Sequence, residues 1–161
     1  MKNKPKDLLE LNPYAKVPVL VDGPGVIYES AIINEYLDEK FSEVPLLPND
    51  ALQRAKARIW IDFLNSHVHP AASDVTHDKD PDRAREHLKQ HLSTLDSEMT
   101  GKRFLAGDYS LADITFIPFY VRRQRYGVTD EDFPNLKRWG ESLIARPAVA
   151  PTLQPSNEPF N

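Results

Sequence analysis

Lys16-Val17-Pro18-Val19-Leu20-Val21-Asp22-Gly23-Pro24-Gly25-Val26-Ile27-Tyr28-Glu29-Ser30 is the stretch on which the fold turns. Val19 to Val21 and Val26 to Tyr28 are two short runs of β-branched, aliphatic and aromatic residues. Between them, Asp22-Gly23-Pro24-Gly25 is dense in turn formers. Two apolar runs around a Gly-containing four-residue loop predict a β-hairpin. Glu29-Ser30 then opens a helical pattern.

Pro18 has no N–H, so it belongs at the start or the edge of a strand. It also keeps Val17 out of the α region. A cis Val17–Pro18 bond would turn the chain sharply and present the Val17 N–H and C=O outward. Those groups can pair with the backbone of an extended peptide ligand, as an added strand does. An ordinary trans edge proline is the competing reading. Ser30 offers a hydroxyl and the unpaired N–H groups of a helix start, which suit a carboxylate. A plain cap is the alternative there.

Outward from this stretch the pattern becomes helical. Pro5 followed by Lys6-Asp7-Leu8-Leu9-Glu10-Leu11 suggests one or two turns, ended by Asn12-Pro13. Ile32, Ile33, Tyr36, Leu37 and Phe41 follow the 3.6-residue period, with Glu35, Asp38 and Glu39 on the other face. Pro45-Leu46-Leu47-Pro48 reads as a linker. Asp50 is positioned to cap a long helix carrying Ala51, Ala55, Ile59, Trp60, Phe63 and Leu64, which Pro70 is expected to kink or end. Asp80-Pro81 opens the next helix, with a stripe of Ala84, Leu88, Leu92, Leu95 and Met99.

Ser110-x-x-Asp113 is a capping box, with Asp in place of the usual Glu. The helix it starts is apolar all round, through Leu111, Ile114, Phe116, Ile117, Phe119 and Tyr120, and so belongs at the centre of a bundle. Asp113 is therefore read as a folding residue and not as a general base. Arg122, Arg123 and Arg125 end that helix, either as a solvated face or as a rim for anionic substrates. Phe133-Pro134-Asn135-Leu136, Trp139, Leu143 and Ile144 make the last helix. His67 and His69 should diverge; His87 and His91, four apart, can meet on one helix face, but no third metal ligand is positioned by spacing. No metal is expected.

Charge and composition narrow the function classes. The net charge of −4 provides no electrostatic case for nucleic acid. The chain has no cysteine, which excludes a disulfide framework, a cysteine metal site and a cysteine nucleophile within it. No apolar run approaches the roughly 20 residues that span a bilayer, so no membrane partner is expected. The N-terminus lacks the apolar core of a secretion signal, and a cytoplasmic location is the expectation. Four prolines in the last fifteen residues predict an extended or disordered tail.

Asn12-Pro13, Lys16-Val17-Pro18-Val19-Leu20 and Glu29-Ser30 followed by Ile32, Ile33, Tyr36 and Leu37 together resemble the second half of the glutathione-binding domain of glutathione transferases. Phe104-Leu105-Ala106-Gly107-Asp108-Tyr109-Ser110-Leu111-Ala112-Asp113 resembles the capping box and hydrophobic staple of that family's helical domain. The resemblance covers roughly residues 2–150. Lys2-Asn3-Lys4-Pro5, Ile27 to Ile32 and Tyr36-Leu37-Asp38-Glu39 are worded most like omega-like members, with bacterial stringent-starvation proteins as related possibilities.

The resemblance implies a thioredoxin-like domain with a cis proline at Pro18. It implies that Val17 pairs its backbone with the cysteine of glutathione and that Glu29 and Ser30 hold the γ-glutamyl end. Lys4 matches an omega-like lysine that reaches the glycine carboxylate, and Lys16 matches a lysine used similarly in some plant members. The implied architecture is α+β and mostly helical. A partial thioredoxin-like domain over 1–43 precedes an all-helical domain over 44–150 and a Pro-rich tail over 151–161.

The family's first β-α-β unit would stand before Lys2, and with it the catalytic Ser, Tyr or Cys. Impaired catalysis is therefore expected of this chain, with no catalytic residue assigned. The expected partners are glutathione as a substrate and an unidentified electrophile, with self-association as a homodimer. A non-catalytic, starvation-protein-like module that binds a protein partner is the alternative.

Overall fold

In the computed structural model, residues 6–41, 43–77 and 80–153 are described. Among them the chain forms two compact units, Met1–Leu47 and Pro48–Asn161. No described helix is long and apolar enough to cross a membrane.

The first unit contains α1 (Lys6–Leu11), β1 (Val19–Asp22), β2 (Gly25–Tyr28) and α2 (Ser30–Lys40). β1 and β2 pair antiparallel in the register Val19↔Tyr28, Leu20↔Ile27, Val21↔Val26 and Asp22↔Gly25. The loop is thus tighter than the four residues expected, because Asp22 and Gly25 join the ladder. Gly23 supplies the positive φ, +56°, that a two-residue hairpin turn requires.

Three polar anchors hold this unit together. Asn12, almost fully buried, donates from Nδ2 to the Lys16 carbonyl at 2.8 Å and accepts the Tyr14 N–H at 2.9 Å. It thereby shapes the loop that delivers the chain to Pro18. Asp22 accepts hydrogen bonds from the Tyr36 hydroxyl and the Lys40 ammonium, tying α2 to the hairpin. Lys40 and Tyr36 also hold the Asp22 carboxyl below the usual range, in that order of weight. Asp38 accepts the Leu46 and Leu47 N–H groups at 2.6 and 2.9 Å. That contact keeps the linker leucines with α2, so the compact units part between Leu47 and Pro48.

The second unit is helical throughout. α3 (Ala51–Phe63) starts on Asp50, whose side chain accepts the Gln53 N–H. It does not stop at a proline kink. It loosens into a π-helical segment, Leu64–Val68, where the His69 N–H reaches back to the Leu64 carbonyl. α4 (His69–His77) follows, with Pro70 in its first turn. The wider π turn takes up the discontinuity that Pro70, lacking an N–H, imposes on the ladder.

α5 (Pro81–Glu98) is capped by Asp80 as expected. α6 (Leu111–Arg122) carries the capping box and an interior Pro118; α7 (Pro134–Ile144) closes the bundle. The tail begins as a 3-10 turn over Ala150–Leu153 and not as extended chain; residues 154–161 of that expectation lie outside the described residues.

The core of this unit centres on α6 and α7. Phe116 stacks on Trp139 with centroids 4.1 Å apart and planes 11° apart. Asp113 and Trp139 are both fully buried. Asp113 Oδ2 accepts the Ser110 N–H at 2.9 Å, while Oδ1 accepts the Leu105 N–H at 3.2 Å and the Trp139 indole N–H at 3.0 Å. Burial pushes the Asp113 carboxyl up, and these hydrogen bonds oppose that shift. Asp113 thus serves α7 as well as the helix it caps.

Candidate functional site

Val17, Pro18, Glu29 and Ser30 of the sequence-predicted site lie at one end of the hairpin. Val19, the first residue of β1, is the register partner of Tyr28, the last residue of β2. The residues just before Val19 and just after Tyr28 therefore stand beside one another. This puts Val17-Pro18 and Glu29-Ser30 at the same end of the hairpin, although Glu29 comes twelve positions after Val17 in the chain. Both pairs are exposed, Val17 at 79%.

The Val17–Pro18 peptide is cis, as the resemblance implied. Glu29 has φ +71° and precedes α2 without a side-chain cap bond. A bulky L residue in that region is strained, and such residues cluster where a backbone is shaped for a ligand. Ser30 is the first residue of α2. The opening N–H groups of that helix have no intrahelical acceptor, and the positive end of the dipole lies there. Lys16 is exposed, two residues before Pro18. Lys4 lies outside the described residues.

The spacing of the sequence pointed to these residues but missed their support. Asn12 is a buried anchor behind the Pro18 turn, and the Asp22–Tyr36–Lys40 group locks α2 onto the strands. By spacing, Asn12-Pro13 read as a helix end and Tyr36 as part of an apolar stripe; neither reading showed the anchoring contact.

The other candidates lie in the second unit. Arg123 is occupied by Asp130, with Nε to Oδ1 at 2.6 Å and Nη2 to Oδ2 at 2.9 Å. That bidentate pair takes Arg123 out of the expected cation rim, while Arg122 and Arg125 are exposed. His69 is half-buried with Nε2 3.2 Å from the Thr115 carbonyl, and burial pushes its pKa down. His67 and His69 diverge as their spacing required. Among the described residues, no group of three or more His, Cys, Asp or Glu side chains is placed to hold a metal.

A hairpin entered through a cis proline, backed by a helix whose first turn opens beside it, is the arrangement of part of a thioredoxin-like half. Comparison with known proteins carries the assignment further. The family model for the glutathione S-transferase C-terminal domain matches residues 58–147, and that for its N-terminal domain matches residues 1–40.

The Nicotiana tabacum protein named "Probable glutathione S-transferase" is 37% identical over 97% of this chain and 74% of its own length. Glutathione S-transferase U25 of Arabidopsis thaliana is 34% identical over 97% and 75%. Glutathione S-transferase III in its apo form superposes with a TM-score of 0.82, at 28% identity over 96% of this chain and 80% of that one. A Burkholderia graminis glutathione transferase, solved with two glutathione molecules per subunit, gives 0.84 at 29% identity over 95% and 73%. This chain belongs to the glutathione S-transferase family.

Proposed function

We propose that the chain binds glutathione at the Val17–Ser30 end of the hairpin. The carrying observation is the Val19↔Tyr28 register, which sets an exposed backbone segment beside a helix start. In this reading Val17 pairs its N–H and C=O with the cysteine residue of glutathione, with Pro18 holding that backbone in place. Ser30 and the first N–H groups of α2 take the γ-glutamyl carboxylate, and Glu29 takes the ammonium beside it. Lys16, and Lys4 on the omega-like pattern, take the glycine carboxylate. The division of labour puts glutathione recognition in 1–43 and the electrophile side in 44–150, with 151–161 as a tail. The location proposed is cytoplasmic.

Thiol activation is a separate requirement. A thiolate at glutathione needs a nearby hydroxyl donor, or a cysteine that exchanges with it. The 161 residues contain no cysteine, and neither Tyr14 nor Tyr28 matches a catalytic position of the family. The 161-residue chain taken by itself is proposed to bind glutathione and to turn over an electrophile poorly. Calorimetry with glutathione and a chloronitrobenzene conjugation assay test the two halves separately. Measurable binding with slow conjugation is expected. Turnover equal to a full-length transferase overturns the impaired-catalysis half, and absence of binding overturns the site.

Class within the family is proposed on wording as omega-like or starvation-protein-like. A plant-type class is the second reading, favoured by the 37% identity to the Nicotiana tabacum relative. The starvation-protein analogy brings with it a non-catalytic, protein-binding alternative. Exposed Val21 and Val26, cross-strand partners on one face of the hairpin, favour it.

A further inference from the structure

His67, His87 and His91 come from two elements and meet on one surface. The His67 ring, carried by the π-helical segment, lies 5.2 Å from that of His91, centroid to centroid. His87 and His91 are one turn apart on α5, with centroids 4.6 Å apart and Nε2 atoms 3.2 Å apart. Phe63 closes the group at 5.2 Å from His67 and 6.0 Å from His91.

Two ring nitrogens at this distance make a hydrogen bond only when one carries a proton and the other a lone pair. Two neutral rings satisfy that condition, and so does a pair sharing one added proton. Two protonated rings do not, because their N–H groups then face each other.

We propose that His67, His87 and His91 form an acid-released joint between the π-helical segment and α5. With neutral rings the joint is closed, and α5 packs against residues 64–68. A second proton replaces the His87–His91 hydrogen bond by repulsion between rings less than 6 Å apart. The charges acting on His91 are those of His87 on its own helix and His67 on the π-helical segment, and the α3 ring packed against it, Phe63, is uncharged.

The direction in pH follows from proton binding. Burial pushes the His91 pKa down, and His87 and then His67 push it further. The folded state therefore binds fewer protons than the unfolded one near this site. The joint is intact above the ordinary histidine value of about 6.5 and is lost as pH falls through His91's own lowered value.

Two measurements on the intact chain test the joint. The first follows the His91 Cε1–H resonance against pH in the wild type and in the His67→Gln and His87→Gln variants. A wild-type midpoint below about 6.5, moving up in each variant, is expected. The second compares amide hydrogen exchange of residues 64–68 at pH 7.5 and pH 5.0, corrected for intrinsic rates and referenced to α7. Protection is expected to fall about tenfold for each unit by which the proton affinities of the open and closed states differ. The loss should persist in His69→Gln and disappear in His91→Gln. A wild-type midpoint at about 6.5, a midpoint unmoved in both variants, or protection of 64–68 independent of pH overturns the proposal.

Discussion

The indole N–H of Trp139 donates to Asp113 Oδ1 at 3.0 Å, joining the cap of α6 to the centre of α7 inside the core. A cap residue is ordinarily worth about 0.5–2 kcal/mol. Here Asp113→Ala also strands the Trp139 and Leu105 N–H groups, both in buried surroundings. The expected loss is about 2–5 kcal/mol by urea denaturation. Glutathione affinity in the folded fraction is expected to stay level, because the hairpin site lies in the other compact unit. Trp139→Phe, which keeps the stack on Phe116, should cost less.

Gly140→Ala tests the α6–α7 contact. An alanine inside a helix normally gains about 1 kcal/mol over glycine. At this position a Cβ would stand 2.3 Å from the Tyr120 ring. The substitution is expected to destabilise by about 1–3 kcal/mol or more. In a Tyr120→Ala background the penalty should largely vanish, and a double-mutant cycle reads that coupling directly.

Arg123 and Asp130 set an acid dependence. The hydrogen bond from Arg123 holds the Asp130 carboxyl below its ordinary value. A lowered carboxylate stabilises the fold above its unfolded value of about 3.9 and loses that contribution as pH falls through the folded value. Arg123→Gln is expected to cost about 1 kcal/mol at pH 7, since the pair is only partly shielded from water. That deficit should shrink below about pH 4, as followed by denaturation at several pH values.

Ser30→Ala is expected to weaken glutathione binding about tenfold in calorimetry, the loss of one charge-assisted hydrogen bond of about 1.4 kcal/mol. Val17→Ala should leave it nearly unchanged, because the proposed contact there is backbone. A large loss in Val17→Ala with none in Ser30→Ala would contradict the assignment of contacts.

Self-association is the last expectation. The described sheet has two strands, and Val21 and Val26 are exposed on it. The outer edge of each strand, away from its hairpin partner, has no strand beside it among the described residues, and an open edge with apolar residues invites another chain. Light scattering over a wide concentration range should report a dimer or larger species, and a monodisperse monomer would count against this reading.

Local patterning was enough to establish the hairpin and most of the described helices, α4 beyond Pro70 and the π-helical segment before it being the exceptions. Val-Pro followed by two apolar runs determined the hairpin, because strand alternation and turn chemistry act over a few residues. Asp50, Asp80 and Ser110-x-x-Asp113 determined where three helices begin, because a cap satisfies N–H groups only two or three positions away. Tertiary structure alone decided what those residues meet across the chain. Trp139 lies twenty-six residues from Asp113 and Lys40 eighteen from Asp22, and no periodicity encodes such pairings. The π-helical turn before Pro70 likewise answers to the packing around it: a single proline predicts a break in the ladder, but how the chain absorbs it depends on the rings of Phe63, His67 and His91 that the turn brings together.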